Sequence, residues 1–256
     1  MLDFAVSVAR QAGSVLRANF GKKIDVAHKG KTDLVTEIDI ASERLIKELI
    51  TSHYPKHRIL AEESEPLVRS SEYCWIVDPL DGTTNYAHGV PFFSVSIALE
   101  KEGKIVLGVI YDPIHDELFS AERGSGATLN GRKITVSKID NVSKSLLVTG
   151  FPYDIHTDKL DNIDNFVRFI KTAQAVRRLG SAALDLCYVA CGRIEGFWEL
   201  KLKPWDMAAG ALIVKEAGGE VTRFNGEPFD HYLPEIVASN GLIHSDMVRI
   251  LTQKPS

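Results

Sequence analysis

The stretch CWIVDPLDGTTNYAHGVPFFSVSIAL, residues 74–99, sets two apolar runs on either side of a compact polar turn. CWIV and PFFSVSIAL have the length and the β-branched and aromatic content of strands, while the segment between them carries proline and glycine where a chain must turn. Further on, the pattern repeats in KIVLGVIYDP (104–113) and ELFSAERG (117–124), and Asn130-Gly131 is a hairpin signal before RKITVS (132–137). Adjacent strands without intervening helices predict a largely antiparallel sheet.

Upstream, Phe4, Ala5, Val8, Ala9, Ala12, Val15 and Leu16 recur every three or four positions, which predicts a helix over 3–20 ending before Gly21. The polar segment 22–34 reads as a loop. A second helical period begins at Ile38 and is closed by Tyr54-Pro55, so Glu37 and Asp39 stand at the mouth of a helix. Downstream the chain alternates: strand 145–150, helix 162–173, strand 175–180, helix 181–192, strand 194–199, helix 205–218, strands 219–224 and 235–240, helix 241–251. No repeat or long linker interrupts it. A single catalytic unit, 1–256, is therefore expected, with lobes over 1–143 and 144–256 sharing a cleft.

The 256 residues are 45% hydrophobic and 25% charged, which excludes disorder and collagen-like chains. A formal net charge of -4 announces no nucleic-acid binder, and no apolar run is long enough for a membrane span. Cys74, Cys187 and Cys191 lack the spacing of a zinc site or disulfide framework, so a reducing, cytoplasmic setting is expected. Cys187 and Cys191 lie four apart on an apolar helix face and read as packing residues.

Asp78 and Asp81 leave a hydrophobic strand, held by Pro79 and released through Gly82, Thr83 and Thr84. Rigidly placed carboxylates of this kind suit Mg²⁺, although strand-ending Asp-Gly turns are also routine. Glu62-Glu63, Asp206 and Asp39 add acids at other boundaries between apolar and polar segments, each with an ordinary role as helix cap or surface residue. Gathered in one cleft, they would repel one another without cations, which favours a multi-metal site.

DPLDGTTNYAHGVPFFSVSIAL resembles the first signature of the inositol monophosphatase family, and WDMAAGALIVKEAGG resembles its second. The resemblance runs from the first helix to GLIHSDMV. It implies a mixed α+β and α/β fold, the layered α-β-α-β-α sandwich of the sugar phosphatases, and magnesium-dependent hydrolysis of inositol monophosphate by direct attack of water. It implies one metal site at Glu62, Asp78 and the Leu80 carbonyl, and a second at Asp78, Asp81 and Asp206. By the same resemblance, Thr83 and Asp39 orient and deprotonate the water, Glu63 is a helper group, and Gly82, Thr83 and Thr84 cradle the phosphate. Glu199 matches a residue that accepts inositol hydroxyls, and Gly180, Ser181 and Ala182 match the pocket lining. Two to three Mg²⁺ ions, with Mn²⁺ able to replace them, inhibition by Li⁺ and a homodimer are further implications, with the apolar strands around residues 91–110 and the helix 162–172 as interface candidates.

Relatives also cleave fructose 1,6-bisphosphate, whose second phosphate needs a cationic recess. Arg168, Lys171, Arg177 and Arg178 are the candidates, with Arg177 placed among the substrate contacts. A phosphatase for 3′-phosphoadenosine 5′-phosphate is disfavoured by the lack of an insertion for an adenine pocket. A phosphatase scaffold that binds RNA or RNA polymerase is the competing non-enzymatic role, and the intact set Glu62, Asp78, Asp81, Thr83 and Asp206 argues for catalysis. His88 reads as a cleft or hydrogen-bonding residue, and Trp205 as an anchor for Asp206. The loop at Lys29-Gly30-Lys31 is a candidate for closure over the cleft.

Overall fold

The computed structural model describes residues 1–22, 26–28 and 34–253; the Lys29-Gly30-Lys31 loop lies outside them. Helix α1 (Leu2–Asn19) turns Ala5, Val8, Ala9, Ala12 and Leu16 inward, as its period requires. Helix α2 (Glu37–His53) begins at Thr36, whose hydroxyl and main-chain N–H both meet the Asp39 carboxylate in a reciprocal cap. Where the sequence predicts a loop over 22–34, Val26–His28 (β1) pairs antiparallel with Leu34–Thr36 (β2). Strands of three residues are too short for alternation to register in the sequence.

β3 (Arg58–Ala61), β4 (Tyr73–Asp81), β5 (Ser94–Lys101), β6 (Lys104–Asp112), β7 (Glu117–Glu122), β8 (Ala127–Leu129) and β9 (Arg132–Lys133) form one sheet in that order. Only β3 and β4 run parallel; every other pairing is antiparallel, as expected from strands in direct succession. The strand expected over 132–137 shrinks to Arg132–Lys133 beyond the turn at Asn130 and Gly131, both in the left-handed region. A short helix, α3 (Thr83–Ala87), leaves the end of β4.

The second sheet has the order β11 (Ala175–Arg177), β10 (Leu146–Thr149), β12 (Gly196–Leu200), β14 (Glu235–Ser239), β13 (Glu220–Thr222). α5 (Ala182–Ala190) and α6 (Pro204–Glu216) lie between the sheets, α1 and α2 cover the outer face of the first, and α4 (Ile163–Thr172) and α7 (His244–Leu251) cover the second. This is the layered α-β-α-β-α sandwich. Because α6 is flanked on both sides, every residue from Met207 to Val214 is buried. A helix apolar all round must sit in the interior.

The approach of α6 to the first sheet depends on glycine. A Cβ at Gly108 on β6 would lie 2.8 Å from the Ala209 carbonyl oxygen and 2.9 Å from its Cα, both backbone atoms that cannot swing away. Gly210 does the same toward α5, where a Cβ would meet Leu186 Cβ at 2.7 Å. Gly108→Ala is expected to cost about 1–3 kcal/mol by overpacking, seen as a thermal midpoint several degrees lower. An unchanged midpoint would show that α6 has slack.

His244 ties α7 to the second sheet: its Nδ1 shares a hydrogen bond with Ser239 Oγ at 2.9 Å and its Nε2 with Thr222 Oγ1 at 2.8 Å. Burial lowers its pKa from the ordinary 6.5. Below that pH the unfolded chain takes up the proton first, so stability is full above about 6.5 and falls as pH drops toward the folded pKa. Melting curves of His244→Asn should lose part of the wild-type acid slope in this window; identical slopes would place that slope elsewhere.

Candidate active site

In a regular strand Asp78 and Asp81, three residues apart, would point to opposite faces. The pairing of β4 with β5 prevents this. Asp78 opposes Ser96 and Asp81 opposes Ser94, so three residues on one strand span two on the other. Pro79, which has no N–H for a ladder bond, lies inside this bulge, and the extra residue reverses the parity. Both carboxylates consequently reach one cavity of 590 Å³. The Asp78 carboxylate accepts from the Leu80 N–H at 2.9 Å, and Ser42 Oγ donates to the Pro79 carbonyl at 3.0 Å, which ties the turn to α2.

The remaining acids arrive from three elements. Glu62 follows β3 and lines the cavity. Its neighbour Glu63 is fixed through its main-chain N–H, which donates to the buried Glu43 carboxylate at 2.7 Å. Asp206 is the third residue of α6, where it accepts from the Lys203 N–H at 2.7 Å. Ser96, the partner of Asp78 in the sheet, donates to the Trp205 carbonyl at 3.2 Å, so β5 holds the start of α6 beside β4. Trp205 thus anchors Asp206 through its backbone.

Asp39 is fully buried below this cluster and joined to it through Thr83, whose Oγ1 lies 3.0 Å from Asp39 Oδ1 and 3.0 Å from the Leu80 carbonyl. One hydroxyl proton serves one acceptor at a time. When it goes to Asp39, the lone pairs of Thr83 Oγ1 face outward as acceptors, and a water bound there gains a relay to a buried carboxylate. Burial raises the Asp39 pKa against the opposing hydrogen bonds from Thr36 and Thr83.

Gly82 has φ 97° and stands close to the opposite wall: a Cβ there would lie 3.2 Å from the Gly180 carbonyl oxygen. Asn85 spans the same gap, donating to the Phe92 and Leu179 carbonyls, each at 2.8 Å. From that wall Ser181 Oγ donates to Asp81 Oδ2 at 2.5 Å and the Ala183 N–H donates to it at 2.8 Å. Glu199, from β12, faces Gly150; a Cβ at Gly150 would fall 2.2 Å from Glu199 Oε1. Glycine at 150 therefore makes the room that the carboxylate occupies.

The cavity lining brings together Glu62, Asp78, Leu80, Asp81, Gly82, Thr83, Gly180, Ser181, Ala182, Glu199 and Asp206 of the expected set. It leaves out Asp39, Glu63, Thr84 and Arg177 among the described residues. Asp39 lies behind Thr83, hydrogen-bonded to its hydroxyl. The Arg177 guanidinium is exposed and donates to the Val176 carbonyl at 3.2 Å, off the cavity, whereas Arg178 lines it. Successive residues of an extended chain face opposite ways. Arg168 and Lys171, on α4, also lie off the cavity, and His88 is exposed at the end of α3. Cys187 is buried and Cys191 partly so; burial raises both thiols, which removes them as nucleophiles. Asp185, also in the lining, has no signal in the sequence beyond being a lone acid in an apolar helix.

The acids do not sit easily together. Burial raises Asp78 well above the usual carboxylate range, and the charges of Glu62, Asp81 and Asp206 raise it further. Asp206 is raised by burial and by Glu62 and Asp81. Asp81 is pushed up to about 6 by burial, against its hydrogen bonds, and Glu199 to about 8 by burial and then Asp81. Among the described residues no Lys, Arg or His forms an ion pair with Asp78, Asp81 or Asp206. Of these three, Asp81 feels a nearby cation, Arg178. Buried, mutually repelling oxygen donors without a close ion pair fit hard divalent cations. The described residues offer no closed group of three or more His, Cys, Asp or Glu around one point.

The profile of the Inositol monophosphatase family matches residues 1–255. The chain is 45% identical over 256 residues to an inositol-1-monophosphatase of Synechocystis, covering 99% of this chain and 89% of that protein. It is 42% identical over 243 residues to the Nus factor SuhB of Escherichia coli, covering 94% and 91%. The solved inositol monophosphatase of Anabaena superposes with a TM-score of 0.91 at 47% identity, over 99% of this chain and 96% of that one. With profile, sequence and fold in agreement along its whole length, the chain belongs to the inositol monophosphatase family, magnesium-dependent hydrolases of small phosphorylated sugars and alcohols.

Proposed function

We propose that this protein hydrolyses inositol 1-phosphate to inositol and inorganic phosphate. The observation that carries the reading is one cavity that gathers the crowded carboxylates and, from β12, Glu199 in the recess left by Gly150. Glu62, Asp78, the Leu80 carbonyl, Asp81 and Asp206 would hold two to three Mg²⁺, or Mn²⁺ in their place. Bound there, the ions supply Lewis acidity to the phosphoryl oxygens and to the attacking water. Li⁺ would inhibit by taking one of these positions. Thr83 orients the water and Asp39 receives its proton through the 3.0 Å contact, with Glu63 as a helper beside Glu62. Gly82, Thr83 and Thr84, at the start of α3, cradle the phosphate. Gly180, Ser181 and Ala182 form the wall against the polyol, and Glu199 accepts its hydroxyls.

The chain acts as one catalytic unit, its lobes 1–143 and 144–256 each contributing lining residues. A homodimer is supported by the exposed apolar stripe Ile163, Val167 and Ile170 on α4. Among the described residues no helix is long and apolar enough to cross a membrane. Association with RNA or RNA polymerase would need a surface outside the cavity.

Arg178 and Lys203 in the lining favour a second reading, a dual enzyme that also takes fructose 1,6-bisphosphate. The test is magnesium-dependent phosphate release, with kcat/KM compared for the two substrates. Strong preference for inositol 1-phosphate supports the proposal. Comparable values establish the dual enzyme, and turnover of neither overturns both.

A further inference from the structure

Buried acids in this protein are generally given donors. Glu100 receives Arg58, His231 and Tyr232, Asp112 receives the Ile114 and His115 N–H groups, and Glu195 receives the Leu146 N–H. Asp185 is the exception. Its Oδ1 is the only carboxylate oxygen, among the described residues, that is shut from solvent and lacks a hydrogen-bond partner. Asp185 is 1% exposed, yet it belongs to the cavity lining.

Its position is built. Asp185 lies one turn beyond Ser181 on α5, and its main-chain N–H donates to the Ser181 carbonyl at 2.9 Å. It therefore shares the helix face that sends Ser181 to Asp81. The next residue, Leu186, is packed against Gly210 of α6, so the turn cannot rotate away. Burial raises the Asp185 carboxyl, Glu199 and Asp81 raise it further and the Arg178 charge opposes them, which places it within the field of the recess and of the acid cluster. An unpartnered acid in such a place destabilises the fold, and that cost is offset when a ligand brings the missing donor.

The geometry points to Asp185 as a specificity-determining residue that, alongside Glu199, accepts a hydrogen bond from a hydroxyl of the polyol part of the substrate. The inference rests on the inositol 1-phosphate reading and adds a second acceptor to its recess. Two acceptors on neighbouring elements would select leaving groups with two suitably placed hydroxyls over simple alcohols or phenols.

The experiment compares kcat and KM for inositol 1-phosphate and for phenyl phosphate, whose leaving group has no further hydroxyl, in the magnesium-loaded wild type, Asp185→Ala and Asp185→Asn. The expected result for Asp185→Ala is a KM for inositol 1-phosphate raised about tenfold, the scale of one hydrogen bond to a charged group. Its kcat/KM for phenyl phosphate should stay within about twofold, with a melting temperature no lower than wild type. Asp185→Asn, which keeps an acceptor oxygen, should recover part of the loss. If Asp185→Ala fails to fold, near-wild-type stability and an unchanged preference in Asp185→Asn overturn the inference. Equal changes for both substrates overturn it as well, because they are what a structural role produces. Wild-type turnover of phenyl phosphate without turnover of inositol 1-phosphate overturns the substrate reading instead.

Discussion

Asp78→Asn is expected to lower magnesium-dependent turnover by roughly 10³-fold, since Lewis-acid stabilisation is worth several kcal/mol and each ~1.4 kcal/mol is a decade in rate. The same variant should melt higher than wild type in the absence of divalent ions. Asp78 is buried among Glu62, Asp81 and Asp206, and its folded pKa is raised by that company. A raised carboxyl pKa means that the folded chain holds its proton to a higher pH than the unfolded chain. Stability is therefore lost as pH rises from the ordinary 3.8 through the folded value, and at neutral pH the metal-free cluster opposes folding. Replacing one charge by an amide of the same shape removes part of that opposition. Magnesium should then stabilise wild type strongly and the variant weakly, by the ordinary linkage of binding to folding. Calorimetry with and without Mg²⁺ checks both halves. Wild-type turnover, or a lower metal-free midpoint with retained magnesium stabilisation, would remove Asp78 from the proposed metal site.

The second large effect is expected from the buried relay. Thr83→Val deletes the hydroxyl that stands 3.0 Å from Asp39 and should reduce kcat by about 10²–10⁴-fold, the range of general acid–base assistance, with KM little changed. Asp39→Asn should cost a similar amount, and the double variant should be hardly worse than either single one, because the two side chains serve one proton transfer. Asp39 also completes the cap of α2 and takes a donor from Thr83, so the midpoints of Asp39→Asn and Thr83→Val should both fall. Fully multiplicative losses in kcat would show that the two residues act separately.

Much of this site is legible in the sequence because it is local. Asp78 through Thr83 is one continuous stretch, and the acid that opens α6 sits beside a tryptophan and a proline that announce a helix start. What the sequence hides depends on tertiary parity and close approach. Arg177 and Arg178 differ by one position on an extended segment, and only the path of β11 decides which of them meets the cavity. Asp185 looks like the polar lapse of an apolar helix until α5 is seen against the recess. Gly108, Gly150 and Asn85 carry no chemistry of their own, and their roles exist only once a second element comes into contact with them. The hairpin of β1 and β2 is hidden for the opposite reason: its pairing is too brief to leave a pattern.

The contact of Gly108 with the Ala209 backbone also bears on how the protein matures. Asp206 comes from the far half of the chain, and in the folded protein it stands beside β4 because β5 holds the start of α6 there. Nascent chains emerging from the ribosome, and partly collapsed intermediates, would present the acids of β4 without their distant companion. The strength of Mg²⁺ stabilisation would therefore report on the completed topology, since β4 by itself holds only part of the acid set.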